Sequence, residues 1–87
     1  MSGATRKQID SAGGKLIEGS SNVFVNGKSL VRKGDRVQSH GRANHSNSRM
    51  IQGSSNVFCN GKPVCRKGHK ASCGHQATGS SNVFIGG

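Results

Sequence analysis

Cysteine and histidine are the residue types in this 87-residue chain whose chemistry stands out. An odd number of cysteines cannot form a complete disulfide framework, and a mixture of cysteine and histidine is typical of metal binding. Zinc takes thiolate and imidazole ligands, so these residues are the first candidates for a metal site. They are Cys59, Cys65 and Cys73 together with His40, His45, His69 and His75.

An internal repeat shows how these candidates are arranged. The hexapeptide GSSNVF occurs three times without change, at residues 19–24, 53–58 and 79–84. Such self-similarity indicates a repeat architecture. The chain begins and ends in mid-repeat, so we predict one domain over residues 1–87, with a half-repeat at 1–18 and repeats that start at residues 19, 53 and 79.

The repeats separate two of the cysteines from the third. Cys59 and Cys65 align with apolar or β-branched residues of the other copies, such as Val25 and Val31. We therefore predict that both are small core side chains. Cys73 aligns with Gly13 in a connecting loop, where no apolar role explains it.

Connecting loops also hold histidines. The stretch between the first two hexapeptides is eight residues longer than the stretch between the last two, and the extra length contains His40 and His45. Together with Cys73 and His75 they could form a closed tetrahedral site for one structural zinc ion per chain. His69 is a rival ligand, although we favour it as a residue outside the ligand set. The alternative is a set of surface histidines and one free thiol.

Each repeat has the pattern of a β-hairpin. Asn-Gly between two short β-prone runs suits a type I′ turn. We predict an all-β fold of three pseudo-threefold hairpins, closed into a ring by pairing of the N- and C-terminal half-repeats. The expected strand pairs are Asn22–Val25 with Lys28–Arg32, Asn56–Cys59 with Lys62–Arg66, and Asn82–Ile85 with Ala4–Arg6.

Apolar side chains occupy both faces of each predicted hairpin. Period-two alternation places Val23, Val25 and Leu30 on one face and Phe24 and Val31 on the other. A chain this short cannot easily cover both faces, so we expect one of them to remain open for a partner.

Composition restricts the function classes. Hydrophobic residues make up 30% of the chain, with no Trp and no Tyr, so a core this lean needs a staple such as a metal ion. The net charge of +10 fits either a solvated surface or affinity for nucleic acid or an anionic membrane. No apolar run is long enough for a signal peptide or a membrane span, so we expect synthesis in the cytoplasm and any export by other machinery.

The repeat resembles that of the PAAR-repeat family. Pro63-Val64-Cys65-Arg66, Ser29–Arg32 and Gly3–Arg6 stand where the family has Pro-Ala-Ala-Arg, and only the Arg is kept in all three. The resemblance spans essentially the whole chain and implies a small three-sided cone with zinc bound near its apex. The ligands that it implies are His40, His45, Cys73 and His75. His69 stands where the family usually has Asp.

The same resemblance implies a function as a structural tip. Such a tip caps and sharpens a trimeric β-helical, membrane-piercing spike, either of the VgrG type in type VI secretion or of a contractile phage tail. One chain would bind one trimer at the end of the injection apparatus or virion tail. The chain would be delivered into the target cell envelope and would contact the target membrane mechanically. It would take no small-molecule substrate.

Two other function classes can be weighed against the structural tip: nucleic-acid binding and enzymatic activity. A basic, zinc-stabilised module that binds nucleic acid is the alternative, which the missing recognition helix and the scarcity of aromatic residues disfavour. An enzyme is not expected, because four protein ligands would leave no open position on the zinc.

Overall fold

The computed structural model describes residues 2–38 and 48–85, and within them it contains short antiparallel strands and no helix. This confirms the predicted all-β class. Every strand is two residues long, and the strands pair as β1–β8, β2–β3, β4–β5 and β6–β7. The strands are β1 Ser2–Gly3, β2 Ser11–Ala12, β3 Gly14–Lys15, β4 Phe24–Val25, β5 Lys28–Ser29, β6 Phe58–Cys59, β7 Lys62–Pro63 and β8 Phe84–Ile85.

The Asn-Gly pairs form the two-residue hairpin turns predicted from the sequence. Asn26 and Gly27 have φ angles of +53° and +78°, and Asn60 and Gly61 have φ angles of +55° and +77°. Positive φ at both central residues is the signature of a type I′ turn, which matches the twist of the flanking strands. The hairpin prediction is therefore confirmed.

Each hairpin is shorter than predicted at both ends. At its start, the backbone N–H groups of Asn22 and Val23 both donate to the Ser20 hydroxyl oxygen, at 3.2 and 3.0 Å. These bonds hold the chain in a turn, so the ladder begins only at Phe24. The hexapeptide thus encodes a polar turn followed by a strand.

At the other end, the strand ladder ends at Ser29, and one further hydrogen bond within the hairpin runs from the Leu30 N–H to the Val23 carbonyl (3.0 Å). Leu30 bridges Arg6, and Arg32 bridges Val64, so these residues pair with neighbouring repeats. The predicted single strand Lys28–Arg32 is therefore wrong beyond Ser29, and the predicted strand Lys62–Arg66 is wrong beyond Pro63 for the same reason.

The ring closes between the chain ends, as predicted, but in a different register. Ser2 pairs with Ile85 and Gly3 with Phe84, whereas the sequence analysis assigned Ala4–Arg6 to this role. Ala4 to Arg6 are equivalent to Leu30 to Arg32, the residues that cross between repeats, so the closing strand has to lie two residues earlier.

A closed triangle of backbone hydrogen bonds marks the pseudo-threefold axis. The N–H of Thr5 donates to the carbonyl of Cys65 (3.1 Å), that of Val31 to Thr5 (3.0 Å), and that of Cys65 to Val31 (2.9 Å). Each residue comes from a different repeat and each is 0% exposed. The triangle satisfies three buried donors and three buried acceptors at once, which a buried backbone requires.

Two apolar clusters fill the molecule along this axis. Residues of the hairpins and crossing segments form the hairpin cluster, and residues beside the connecting loops form the loop cluster, against which Cys73 packs. The hairpin cluster consists of Ala4, Val25, Leu30, Cys59 and Val64. The loop cluster consists of Ala12, Leu16, Val31, Val37, Met50, Cys65, Ala71 and Ala77.

The first glycine of the hexapeptide is explained by close packing at the hairpins. A Cβ atom added at Gly19 would lie 2.8 Å from the Cβ of Ser29, and one added at Gly53 would lie 2.5 Å from the Cβ of Pro63. No real side chain tolerates such contacts, so the second strand of each hairpin can lie against the turn only because this position has no side chain.

The two hairpin faces differ in burial. Val25 and Leu30 face the core with 7% and 5% exposure, while Phe24 is 59% exposed. The expectation that one face stays open is thereby met. Two assignments are wrong: Val31 is fully buried on the axis because the chain has left the hairpin, and Val23 is 38% exposed at the hairpin's edge.

Candidate functional site

Cys73 and His75 lie on a tight turn beside the loop cluster. The Ala71 N–H donates to the His75 carbonyl and the Gly74 N–H donates to the Ala71 carbonyl, each at 2.9 Å. Gly74 has a φ of +92°, a conformation that glycine adopts readily. The turn brings the Cys73 Sγ to 3.4 Å from the His75 Nδ1.

This separation fits two ligands of one zinc ion. With Zn–S near 2.3 Å and Zn–N near 2.0–2.1 Å, a tetrahedral angle places the two donor atoms about 3.5 Å apart. Cys73 is half-buried and His75 is exposed, so the pair lies at the boundary between the core and the surface. The donor types and their spacing therefore suit a zinc chelate.

His40 and His45 lie outside the described residues, so their place in the ligand set stays a prediction. The backbone on either side of them is described. The Val37 N–H donates to the Ser48 carbonyl at 2.9 Å, so the two described stretches that flank these histidines lie side by side. Next to it, the Ser72 N–H donates to the Arg49 carbonyl at 2.7 Å.

The described residues on either side of His40 and His45 thus lie beside the Cys73 turn. Within residues 2–38 and 48–85 no group of three or more His, Cys, Asp or Glu side chains is arranged to hold a metal. The described residues supply two of the four predicted ligands, Cys73 and His75. The other two predicted ligands, His40 and His45, belong to the segment whose described flanks lie beside the Cys73 turn.

His69 has a local role that the sequence analysis did not foresee. Its Nδ1 accepts a hydrogen bond of 3.2 Å from the Arg66 backbone N–H, closing the turn after Arg66. Burial and the nearby Arg66 charge lower the pKa of His69, which favours the neutral ring that this bond requires. With Nδ1 as acceptor, the neutral ring carries its proton on Nε2, so neither nitrogen has a lone pair free for a metal while this tautomer persists. The ligand set without His69 stays a prediction.

In the other two repeats the same position holds an aspartate, which forms a clamp with the arginine that all three repeats share. Arg6 donates to Asp10 from Nε (2.8 Å) and Nη2 (3.2 Å), and Arg32 donates to Asp35 at 3.1 Å from each. These hydrogen bonds hold the pKa of both guanidinium groups above its usual value. The signal was present in the sequence, as an Arg shared by all three repeats and followed in two of them by Asp three or four residues later.

The turn asparagines link neighbouring hairpins, a role that the sequence analysis also missed. The Asn26 Oδ1 accepts hydrogen bonds from Arg6 Nη1 (3.0 Å) and from the Ser80 hydroxyl (2.8 Å). The Asn26 Nδ2 donates to the Asn82 Oδ1 at 3.1 Å. Ser80 and Asn82 belong to the third hexapeptide, so this network joins the first hairpin to the last.

An equivalent network joins the first two hairpins. Asn60 accepts from Arg32 Nη1 (3.2 Å) and from the Ser20 hydroxyl (2.7 Å), and it donates to Asn22 at 3.0 Å. The serine and the asparagine of the hexapeptide are therefore inter-repeat contacts as well as turn residues.

The third repeat departs from this plan at Arg66. His69 replaces the clamp aspartate, and the Arg66 Nη1 donates to the Ser2 hydroxyl (2.8 Å) instead of to a turn asparagine. The buried Arg66 Nε has no hydrogen-bond partner among the described residues. A buried donor without a partner costs stability, so this sector lacks a hydrogen bond that the other two make through their Arg–Asp clamps.

Three phenylalanines form the most regular exposed feature of the molecule. Phe24, Phe58 and Phe84 are 59%, 58% and 51% exposed, and they occupy the same position in the three hexapeptides. The residue that follows each of the first two, Val25 or Cys59, is buried. We call these three side chains the phenylalanine triad.

The sequence was compared with models of known protein families. The model of the PAAR motif matches residues 8–78. The chain belongs to the PAAR-motif family. This is a structural family associated with the spike tips of type VI secretion systems and contractile phage tails. A search of the curated proteins found no match for the chain. Among the described residues of this PAAR protein, no helix has the length and apolar content to cross a membrane.

Proposed function

We propose that this PAAR protein is the tip that caps and sharpens a trimeric β-helical spike of a contractile injection machine. The observation that carries the proposal is the phenylalanine triad, which repeats one exposed apolar contact around a pseudo-threefold axis. A homotrimer presents three equivalent surfaces at its end, and a monomer can match them only if it repeats its own surface three times.

The triad also supplies a driving force. An aromatic side chain buries on the order of 200 Å² when it is fully covered, so three rings that are about half exposed could bury about 300 Å² more. At about 25 cal/mol per Å² this corresponds to roughly 8 kcal/mol before the costs of association. The end of a β-helical spike also has unpaired strand edges, which a cap protects.

We further propose one structural zinc ion per chain, held by His40, His45, Cys73 and His75. The donor spacing at Cys73 and His75 and the position of the described residues on either side of the other two ligands support this set. A structural zinc cross-links the segments that it binds and contributes on the order of 10 kcal/mol to folding. Such a cross-link would stiffen the loop end, which must survive impact on a membrane.

Nucleic-acid binding remains the second candidate, on the strength of the +10 net charge. The described residues contain no helix that could enter a groove, and the only aromatic side chains of the chain are the three phenylalanines assigned above to the spike contact. Titration with DNA at rising salt separates the candidates, because a phosphate-driven complex weakens steeply with salt.

The proposal is tested by co-expression with the cognate spike and by light scattering of the purified complex. We expect one chain per trimer and binding that is largely insensitive to moderate salt, because the contact is apolar. Replacing Phe24, Phe58 and Phe84 by Ser should abolish the complex. The matched control is the double variant of Ile9 and Ile51 to Ser, which removes apolar side chains of 48% and 50% exposure outside the triad.

Three chains per trimer would contradict the symmetry argument. Equal loss of binding in the control variant would show that the triad has no special role, and binding that vanishes at moderate salt would favour the electrostatic candidate.

A further inference from the structure

Four basic residues encircle the loop cluster. Each comes immediately before a buried apolar member of that cluster, so alternation along the chain turns its side chain outward. All four are exposed, and together they represent each of the connecting segments that the structure describes. We call them the basic collar: Lys15, Arg36, Arg49 and Lys70.

The backbone bridges place the collar at one level of the molecule. Arg36 bridges Arg49, and the Gln38 N–H donates to the Lys15 carbonyl at 2.7 Å. Their buried neighbours are joined in the same way, since Met50 bridges Ala71, the residue after Lys70. The collar therefore surrounds the same cluster that supports the Cys73 turn, whereas the phenylalanine triad belongs to strands that pack on the hairpin cluster.

The collar is poorly neutralised. Two of the three acidic residues of the chain are engaged elsewhere, because Asp10 and Asp35 are clamped by Arg6 and Arg32. Glu18 is the remaining carboxylate; it accepts the Arg36 backbone N–H at 2.9 Å and approaches Arg49 only to 3.9 Å. Four cations thus face one carboxylate at the loop end.

We propose that the basic collar binds the phosphate headgroups of an anionic lipid surface, so that the loop end adheres to the membrane that it meets. Charge complementarity identifies the partner, since clustered Lys and Arg near a membrane are attracted to anionic lipids. A lipid surface fits better than nucleic acid because the cations surround the loop cluster, whereas the three phenylalanines, which could stack on bases, lie in strands β4, β6 and β8 of the hairpins.

This proposal does not depend on spike binding, so the chain alone is the sample. Vesicles of phosphatidylcholine mixed with phosphatidylglycerol are compared with vesicles of phosphatidylcholine in a sedimentation assay at low salt. We expect binding to the anionic vesicles only. Changing Lys15, Arg36, Arg49 and Lys70 to Gln should weaken it by roughly 100-fold, because each cation near the surface contributes about fivefold and the contributions are not fully additive.

The matched control removes the same number of exposed charges outside the collar, in the two hairpins and in the turns that follow Arg32 and Arg66. It changes Lys28, Lys33, Lys62 and Lys67 to Gln, and we expect it to weaken binding far less than the collar variant does. Arg36→Lys with Arg49→Lys keeps the collar's charge and should keep binding, which separates charge from any loss of the hydrogen bond from Arg49 to the Gly34 carbonyl.

Three results would overturn the proposal. The first is no difference between the two kinds of vesicle. The second is equal weakening by the collar and control variants, which would mean that only net charge matters. The third is tighter, collar-dependent binding to duplex DNA than to anionic vesicles, which would identify nucleic acid as the partner.

Discussion

Replacing His69 by Asp should stabilise this protein, because it would give the third repeat the clamp that the other two possess. The change offers a carboxylate to the Arg66 guanidinium, whose buried Nε has no partner among the described residues. In the second repeat the equivalent side chains are 14% exposed for Arg32 and 4% exposed for Asp35. The new pair would therefore be partly shielded from solvent.

The expected gain follows from that geometry. A well-exposed ion pair contributes about 0–1 kcal/mol, whereas satisfying a buried donor recovers about 1–3 kcal/mol. A partly shielded clamp should lie between these limits, at about 1–2 kcal/mol. For a domain of this size such a gain raises Tm by roughly 5–15 °C.

The pH dependence of the same variant provides an independent check. Burial and the charge of Arg66 lower the pKa of His69, so the folded state binds this proton less readily than the unfolded state. The stability contributed by neutral His69 is complete above the unfolded pKa of about 6.5 and is lost as pH falls through the folded value. His69→Asp should remove this loss, since a carboxylate starts to protonate only near pH 4.

Urea unfolding of the zinc-loaded protein at about pH 7.5 and about pH 5.5, which bracket the ordinary histidine pKa, measures both effects. The variant should unfold at higher urea at the upper pH, and its advantage should grow at the lower pH. A variant no more stable than the parent would refute the clamp argument. A variant that loses zinc would show instead that His69 is a metal ligand.

The remaining predictions concern the cysteines and the metal. Native mass spectrometry should find about one zinc per chain, and an unchanged Tm after metal removal would contradict the structural role. His40→Ala and Cys73→Ser should lower stability far more than Cys59→Ala or Cys65→Ala, because a structural zinc contributes on the order of 10 kcal/mol and a buried thiol much less. Burial raises the pKa of the Cys65 thiol to about 12, so this thiol should react slowly at neutral pH. Once a chelator has removed the zinc, iodoacetamide at neutral pH should modify Cys73 and leave Cys65 intact. Modification of Cys65 first would contradict its buried placement.

The sequence was informative wherever one residue type has one strong local meaning. Asn-Gly at 26–27 and 60–61 specified a type I′ turn, and the structure contains it at both places. The alignment of Cys59 and Cys65 with apolar positions predicted core side chains, and they are 5% and 0% exposed. These inferences needed no long-range information, because the backbone preference or the repeat already contained it.

The errors arose where a residue has a second, long-range role. The turn alone accounts for Asn26 in its local sequence, and nothing local indicates its hydrogen bonds to Ser80 and Asn82 of another repeat. The strand Lys28–Arg32 looked continuous because alternation persists through Leu30, although the chain changes partner there. Periodicity records which side of the chain is buried and does not record which neighbour buries it.

The distribution of identical and divergent residues is consistent with two opposite demands on the fold. A threefold partner requires three equal contacts, and the hexapeptide that contains Phe24, Phe58 and Phe84 is unchanged in all repeats. A tetrahedral zinc needs four ligands, a number that three equal repeats cannot supply. The repeats must therefore diverge where the metal is proposed to bind, and the length difference between the connecting loops falls there. Loss of repeat identity at the loop end is thus what a single metal on a pseudo-threefold axis would require.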